Sequence, residues 1–495
     1  AIWATGEFWW RVPPTVRVVL RGGLRGGAVG KDVIIALCSF FRRGEVRNAA
    51  VEFGGPGVDG LTIDDRLAIA NMTTEWGALV GWFPPDGAVE AFLAGLEARR
   101  TEPVGPPLEP DPAARYAGTI SLDLDSVCPH VAGPDQVSIA RPLGEVQSQR
   151  IRVDKAYLVS CANSRASDLA AAAEALGGRS VADGVTLYVS AASALVQRQA
   201  ERDGSWARLL EAGAKPLPPG CGPCIGLGAG LLAPGEVGVS ATNRNFKGRM
   251  GSPDARCYLA SPAVVAASAA AGYIRGPAAR PRARLRAAFA LSPDEPDPAA
   301  GSELLDGFPA SLRGRLLFIA LDDVVTDRIF PGRLTYREDL SRAAIAAAAF
   351  ADLDPSLAPR MLPGDLLVTG RGFGGGSSRE QAVTALQAAG VAAVVAASFS
   401  STYLRNALNN GFLCIESPAT FEYLRARFGA NDPRPVRVTD EQIEVDFASR
   451  AIVVHGRSFA FLPPGPVGQR LLLDGGIERS VRRRVDALRA SGGGS

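Results

Sequence analysis

The sequence predicts an α/β protein whose domains are built on parallel sheets. Three segments carry that prediction, because each is a short apolar strand followed by a turn and a helix. Their strands occur in KAYLVSC, VTLYVSA and EVGVSATNRNF. Ligands of such sheets bind beyond the carboxyl ends of the strands. Cys161 and the loop ATNRNFKGR both lie at such ends, so we expect the functional site there.

The other segments extend this pattern along the chain. Residues 15–21 alternate as an edge strand does, KDVIIALCSFF indicates a buried helix, and residues 48–53 indicate another strand. Residues 84–120 are rich in proline and are interpreted as a connection between domains. A last α/β domain starts near Gly314. The predicted domains are residues 1–120, 121–276 and 313–495, with a linker at 277–312.

Composition excludes several classes of protein. The 53 Lys and Arg residues nearly balance the 51 Asp and Glu residues, which argues against a nucleic-acid or anionic membrane partner. No apolar run approaches the roughly 18 residues of a membrane span. The seven cysteines have irregular spacings that do not indicate a disulfide framework. These observations predict a reducing compartment with metal or thiol chemistry.

Three of the cysteines are candidate metal ligands. Cys161 follows an apolar strand, and Cys221 and Cys224 lie in the turn PLPPGCGPC. A CxxC pair is also the redox dithiol of thioredoxin-like proteins, but the strand before it and the helix after it are missing here. A structural zinc site requires a fourth Cys or His nearby. We therefore interpret the three thiolates as ligands of a four-iron cluster, which leaves one iron open to act as a Lewis acid.

A glycine-rich turn, GFGGGSSRE, leads into the helix REQAVTALQAAG. Ser377 and Glu380 could form a capping box, which explains the serine but not the four glycines. Glycine turns let a backbone approach an anion at a helix N-terminus. Arg379 could bind a carboxylate with two hydrogen bonds, and a serine among cationic neighbours could act as a base.

Two further polar sets are candidates for substrate binding. The sequence NRNFKGR supplies Asn243, Arg244 and Arg249 beside the predicted cluster, and we interpret the arginines as binding a polycarboxylate. Asn71 and Glu75 lie four residues apart and therefore project from one helix face. Their neighbours are mostly apolar, so we interpret this pair as facing a site rather than solvent.

Four ordered motifs, SCANSR, CGPCIG, NRNFKGR and GGGSSRE, together resemble the aconitase superfamily over essentially the whole chain, and most of all its homoaconitases. The resemblance implies three-layer α/β/α domains with a C-terminal swivel domain. It also implies a [4Fe–4S] hydro-lyase that interconverts homoisocitrate and cis-homoaconitate in lysine biosynthesis by the aminoadipate route. Isopropylmalate dehydratase, aconitase and a degenerate aconitase-like binding protein remain alternatives, as does a thioredoxin-type redox protein with no iron.

The resemblance also implies roles for individual residues. The cluster ligands are Cys161, Cys221 and Cys224. Ser377 takes the place of the base that removes the carbon-bound proton, with Ser378 and Arg379 beside it. Arg244 and Arg249 match carboxylate binders, Asn243 matches a polar partner near the cluster, and Asn71 and Glu75 match the pair near the open iron and its water. Another substrate arginine is expected at Arg328 or Arg333.

The chain departs from the family in two respects. Ala162 stands where the family usually has threonine. The family's first domain, with its histidines and Asp–Ser–His segment, has no counterpart in this sequence. We therefore expect residues 1–276 to match the second and third domains, residues 313–495 to match the mobile fourth, and turnover to be low. The family implies a small tricarboxylate substrate and a location in the mitochondrial matrix, with no membrane or nucleic-acid partner.

Overall fold

The structure, a computed structural model, divides the chain into two compact units. One unit comprises Pro13–Glu295, and the other comprises Ala1–Val12 with Pro296–Ser495. We call them the 13–295 unit and the C-terminal unit. The structure describes residues 1–95, 108–277, 284–292, 303–335, 337, 339–376, 379–428 and 435–492.

The secondary structure of the described residues alternates between strands and helices along most of the chain. The helices are α1 (Ile2–Thr5), α2 (Gly30–Phe40), α3 (Ile63–Trp76), α4 (Gly87–Ala94), α5 (Leu143–Gln147), α6 (Ala166–Leu176), α7 (Ala194–Arg202), α8 (Ser205–Glu211), α9 (Pro262–Ala271), α10 (Thr326–Ile329), α11 (Arg342–Ala347), α12 (Gln381–Ala388), α13 (Ser401–Asn409), α14 (Pro418–Phe428), α15 (Pro466–Asp474) and α16 (Ile477–Gly492). The strands are β1 (Thr15–Arg21), β2 (Ala50–Gly54), β3 (Val80–Trp82), β4 (Gly118–Asp123), β5 (His130–Ala132), β6 (Ala140–Pro142), β7 (Lys155–Val159), β8 (Thr186–Ser190), β9 (Lys215–Pro216), β10 (Val237–Ser240), β11 (Arg256–Leu259), β12 (Ala287–Leu291), β13 (Ser311–Ile319), β14 (Leu366–Thr369), β15 (Ala393–Ala396), β16 (Leu413–Glu416), β17 (Val436–Asp446), β18 (Ala451–Val454) and β19 (Arg457–Ala460). This arrangement confirms the predicted α/β fold class.

The first sheet of the 13–295 unit has the strand order β12-β4-β1-β2-β3. Strand β1 pairs in parallel with both β2 and β4, so the prediction that residues 15–21 form an edge strand was wrong. Its alternation has another cause. Val16, Val18 and Leu20 are buried on one face, whereas the intervening side chains are at least partly exposed on the other. A sheet with one well-covered face gives this pattern even to an interior strand.

The segment 84–120, predicted as a connection between domains, contains helix α4 and the start of the interior strand β4, so that prediction was wrong for those residues. Two further predictions differ from the structure. Strand β12 lies inside the predicted linker at 277–312 and pairs antiparallel with β4, for example Phe289 with Ile120. Residues 1–12 belong to the C-terminal unit rather than to the predicted domain at 1–120. In both cases the partner lies far away in sequence, and local composition carries no signal of such a pairing.

The second sheet of the 13–295 unit positions the predicted ligands. Its strand order is β6-β5-β11-β10-β7-β8-β9, and the five strands from β11 to β9 run parallel. The carboxyl ends of β10, β7 and β9 therefore lie along one edge. They lead into the segments that contain Asn243, Cys161 and Cys221, respectively. Helices α6 and α9 contribute Leu169 and Val265 to the core of this part of the unit.

Helices α2 and α3 approach each other closely at their amino ends. The Gly30 backbone N–H donates to Asp65 Oδ1 at 2.6 Å. A Cβ atom at Gly30 would lie 2.5 Å from the carbonyl oxygen of Asp65, so only glycine fits. Thr62 and Asp65 also form a capping box that fixes the start of α3. The two helices are thereby locked together at one end.

The C-terminal unit contains a sheet of order β16-β15-β14-β13-β17-β18-β19. Strands β13 to β16 are parallel, and β17 to β19 are antiparallel. The glycine-rich turn follows the carboxyl end of β14, as in the other parallel sheets. Among the helices of the described residues, none has the length and apolar character that a membrane span requires.

The contact between α2 and α3 predicts the effect of one substitution. Gly30→Ala should lower the free energy of unfolding by about 1–3 kcal/mol, because the new methyl group must displace backbone atoms of Asp65. Gly87→Ala is the matched control, since nothing lies within 4 Å of a Cβ built at that position. Urea denaturation followed by tryptophan fluorescence measures both variants. Equal midpoints for Gly30→Ala and the wild type would contradict the account of this contact.

Candidate functional site

The turn after β7 presents Cys161 to solvent. Ser160 Oγ accepts hydrogen bonds from the backbone N–H groups of Ala162 at 3.2 Å and Asn163 at 3.1 Å. These bonds bury residues 162 and 163 while the Cys161 side chain stays exposed. Free cysteine is among the most buried residue types, so an exposed one is notable. Local backbone bonding therefore displays the first predicted ligand at the carboxyl edge of the sheet.

A second turn carries Cys221 and Cys224. It is a short 3₁₀ helix, Pro223–Ile225, between two glycines with left-handed backbones, Gly220 (φ 116°) and Gly226 (φ 76°). Cys221 is exposed and Cys224 is half-buried. A short strand, β9, does precede this turn, so the prediction that no strand precedes it was wrong. The turn still lacks the α-helix that opens at a redox dithiol, because only a 3₁₀ helix forms here.

The loop of residues 241–250, which follows β10, contacts the turns of all three cysteines. Asn243 Oδ1 accepts a hydrogen bond of 2.6 Å from Asn163 Nδ2, two residues after Cys161. Arg249 Nε donates to the Cys224 carbonyl oxygen at 3.0 Å. One loop thus links the separate cysteine turns.

The same loop binds the polar pair of α3. Asn243 Nδ2 donates to Asn71 Oδ1, and Arg244 Nε donates to Glu75 Oε1 in an ion pair. Asn71 and Glu75 therefore both contact this loop, although Asn71 remains exposed and Glu75 is half-buried. The structure brings together four of the residues singled out from sequence, Asn71, Glu75, Asn243 and Arg244, beside the Cys161 turn.

The electrostatics of this region favour an anionic ligand. Burial raises the pKa of Glu75, although the Arg244 guanidinium works in the opposite direction. Burial and the nearby charge of Arg244 both lower the pKa of Arg249, which lies over the Phe246 ring at 5.2 Å. Two guanidinium groups that repel each other are stabilised when an anion binds between or beside them. A carboxylate is such an anion.

The accessible thiols fit an iron–sulfur cluster by their chemistry. Cys161, Cys221 and Cys224 are the cysteines that are not buried. Within the described residues, no group of three or more His, Cys, Asp or Glu side chains is arranged to hold a single metal ion. A four-iron cluster binds each thiolate at a different iron, so its ligands need not converge on one point as zinc ligands do. Three open thiols on two linked turns suit the cluster.

The glycine-rich turn of the C-terminal unit is described in part. Ser377 and Ser378, and with them the possible capping box of Ser377 with Glu380, lie outside the described residues. Gly374 (φ 77°) packs on Tyr403, since a Cβ there would lie 2.2 Å from the Tyr403 Cγ. Arg379 Nη1 donates to Asp327 Oδ1 at 2.5 Å. The Arg379 guanidinium therefore binds a carboxylate of its own unit.

The two candidates for a further substrate arginine are not distinguished by their surroundings. Arg328 is exposed at the end of α10. The side chain of Arg333 lies outside the described part of the chain. The choice between them stays open, as it was from sequence.

Sequence reasoning missed a group of buried charges behind the site. Burial lowers the pKa of Lys31 to about 7 and raises the pKa of both Asp32 and Asp168 to about 7. Lys31 and Asp32 lie in the first turn of α2, whose other residues are mostly apolar. Two charged residues at the start of a buried helix were the signal in the sequence that could have identified them. Asp64, in the first turn of α3, accepts hydrogen bonds from Arg165 and Ser167.

The difference in burial predicts how the thiols react. In the native, iron-free protein we expect Cys161, Cys221 and Cys224 to react rapidly with iodoacetamide, and the other four of the seven cysteines to react slowly. Burial raises the pKa of Cys257 from 9.0 to about 12, which lowers its thiolate fraction by roughly 1000-fold. Peptide mass spectrometry over time identifies the modified residues.

The matched controls are Cys161→Ala and Cys38→Ala. The first should reduce the rapid class from three thiols to two, and the second should leave it at three, because Cys38 is buried in α2. A rapid reaction at Cys38, Cys257 or Cys414 would show that the described burial is incorrect. Protection of Cys161 in the iron-free protein would do the same.

Comparison with known proteins shows the family of the chain. Residues 1–272 match the aconitase family (aconitate hydratase), and residues 346–420 match the aconitase C-terminal domain. The mitochondrial homoaconitase of Eremothecium gossypii is 48% identical over 95% of this chain and 72% of that protein. Those of Cryptococcus neoformans and Mycosarcoma maydis are 44% and 43% identical over 97% and 98% of this chain, and 76% and 75% of theirs. The chain belongs to the aconitase family.

Proposed function

We propose that this chain is a homoaconitate hydratase, a hydro-lyase that interconverts homoisocitrate and cis-homoaconitate with a [4Fe–4S] cluster. The observation that carries the proposal is the set of three open thiols on two turns, Cys161 and Cys221 with Cys224, linked by one loop. Similarity to proteins named homoaconitase over nearly the whole chain supports this substrate rather than another tricarboxylate.

Cys161, Cys221 and Cys224 hold the cluster as thiolates in this proposal. When bound, the cluster supplies a Lewis acid at the one iron that no cysteine of the chain occupies. The chain's own contribution begins with substrate binding. Arg244 and Arg249 bind substrate carboxylates, and the lowered pKa of Arg249 reflects a site that an anion stabilises. Asn243 forms hydrogen bonds with Asn163 and Asn71. These bonds set the position of the loop that carries the two arginines.

Glu75 and Asn71 act at the reacting hydroxyl group. Burial raises the pKa of Glu75, so its carboxyl group retains a proton at a higher pH than an exposed glutamate does. Such a group can exchange a proton with the hydroxyl group that leaves as water or returns from it. Its hydrogen bond with Arg244 also holds the carboxylate in place.

Ser377 removes the proton bound to carbon in the dehydration direction. Proton removal leaves an electron pair on that carbon, which forms the double bond as the hydroxyl group departs. Ser378 and Arg379 lie beside this base in sequence. Arg379 binds a substrate carboxylate in place of Asp327, whose side chain is about half exposed.

The cellular setting follows from the same similarity. The relatives are named as mitochondrial proteins, and we assign this chain to the mitochondrial matrix. Its partner is a small tricarboxylate of lysine biosynthesis by the aminoadipate route.

Anaerobic reconstitution with iron and sulfide tests the proposal. We expect about four iron atoms per chain and an absorption band of the cluster near 400 nm, since three thiolates and an open iron define this cluster type. Cys161→Ser should lose most of the iron, and Cys38→Ala, at a buried cysteine, should keep it. Hydration of cis-homoaconitate, cis-aconitate and isopropylmaleate is then measured in parallel.

The outcomes separate the two parts of the proposal. Iron retained by the wild type and lost in Cys161→Ser supports the cluster even where turnover is low. A higher kcat/KM for cis-homoaconitate than for the other two substrates supports the named reaction. Equal iron in Cys161→Ser and the wild type would refute the ligand assignment. A preference for isopropylmaleate or cis-aconitate would refute the substrate.

A further inference from the structure

Lys31 is a buried cation that the proposed mechanism does not use. Its side chain is 1% exposed and lies in the first turn of α2. Both circumstances are unfavourable, because burial removes water from the ammonium group and the amino end of a helix disfavours positive charge. The ammonium group is therefore stable only where hydrogen-bond acceptors and negative charges surround it.

The acceptors are two consecutive carbonyl groups at the end of β10. Lys31 Nζ donates to the carbonyl oxygen of Ala241 at 2.9 Å and to that of Thr242. A strand that ends leaves carbonyl groups that the sheet no longer pairs, and buried carbonyl groups need a donor. An ammonium group can serve both at once because it carries three donors.

These carbonyls begin the loop of residues 241–250. Thr242 is followed by Asn243 and Arg244, and Thr242 Oγ1 donates to the Arg244 carbonyl oxygen at 3.3 Å. The position of Thr242 therefore governs where the side chains of the next two residues begin. Those side chains contact Asn71 and Glu75 on α3.

Helices α2 and α3 thus both contact residues 241–244, in two different ways. Lys31 from α2 binds the backbone of Ala241 and Thr242, and α3 binds the side chains that follow. The contact of Gly30 with Asp65 locks the two helices at their amino ends. Removing the ammonium group would leave two buried carbonyl groups unpaired and would remove the contact of α2 with the loop backbone. The contacts of α3 with the loop side chains would remain.

Negative charges nearby offset part of the cost of burial. Asp168, Asp32 and Glu75 each favour the charged form of Lys31, although burial is the larger effect and lowers its pKa to about 7. Asp32 does not pair with Lys31 directly. Its two oxygens accept the backbone N–H groups of His130 at 2.9 Å and Val29 at 3.0 Å. The carbonyl groups of the loop are therefore the direct partners of the ammonium group.

We propose that Lys31 is a positioning residue whose ammonium group anchors the loop of residues 241–250, and through it Arg244 and Arg249, in the geometry that receives the substrate's carboxylates. The claim that Lys31 affects the binding of the substrate's carboxylates rests on the proposed function. The anchoring of the loop does not. Two kinds of measurement therefore distinguish the two claims.

The test compares Lys31→Met with a matched control, Lys155→Met. Lys155 also donates to a backbone carbonyl, that of Leu231 at 2.8 Å, and to Glu236 at 2.6 Å, but it lies at the amino end of β7. Both variants lose a partly or fully buried ammonium group. Only Lys31→Met removes the contact with the loop. Hydrogen exchange, thermal unfolding, bound iron and the kinetics of cis-homoaconitate hydration are measured on each full chain after reconstitution.

In Lys31→Met we expect amide exchange in peptides covering 241–250 to accelerate at least 10-fold, and KM to rise at least 10-fold with a smaller change in kcat. Lys155→Met should lower the unfolding temperature but leave both values within 2-fold of the wild type. Lys31→Arg, which keeps the charge and the donors, should recover at least half of the lost protection. If Lys31→Met does not fold, Lys31→Gln replaces it with the same expectations.

Unchanged exchange in 241–250 together with unchanged KM in Lys31→Met would overturn the proposal. So would equal effects of the Met and Arg variants, because a cation at this position would then restore nothing. If the wild type binds iron but hydrates none of the three substrates, the proposed function fails, and the exchange measurement still decides whether Lys31 anchors the loop.

Discussion

The site depends on the hydrogen bonds that one loop makes to several other segments. The loop of residues 241–250 binds the turn after Cys161 through Asn243, the turn of Cys224 through Arg249, and helix α3 through Arg244. Each partner comes from a different part of the sequence. If the loop moved, the cysteine turns and the arginines that we propose bind carboxylates would no longer be held in fixed positions relative to one another. The geometry of the candidate site therefore depends on the hydrogen bonds and the ion pair that this loop makes.

Parallel-sheet topology explains why such a loop exists. In the second sheet, β10 and β7 are neighbours and β9 is two strands further along, so their carboxyl ends deliver three segments to one edge. Each strand needs only a few apolar residues to specify it, and polar chemistry follows where the strand ends. This division between strand and loop made the general location of the site predictable, because the alternation of strands and helices is a local property of the sequence.

Features set by distant partners were not predictable in the same way. The interior place of β1 and the pairing of β12 with β4 depend on residues about 35 to 170 positions away. The roles of Lys31 and Asn163 depend likewise on segments that sequence alone does not bring together. By contrast, the turn positions of Cys161, Cys221 and Cys224 could be read from local sequence, and their role as cluster ligands remains a prediction. That Asn71 and Glu75 share one face of α3 was predictable because helix periodicity is local, and their role at the reacting group remains a prediction.

The most direct measurement of the central claim is the iron position in crystals of the reconstituted protein, from anomalous diffraction at the iron edge. The account predicts a compact group of iron atoms, with three of them each about 2.3 Å from the Sγ atom of Cys161, Cys221 or Cys224, a typical metal–thiolate distance, and the fourth without a protein sulfur. Iron bound elsewhere, or a cluster that leaves Cys161 without an iron neighbour, would contradict it.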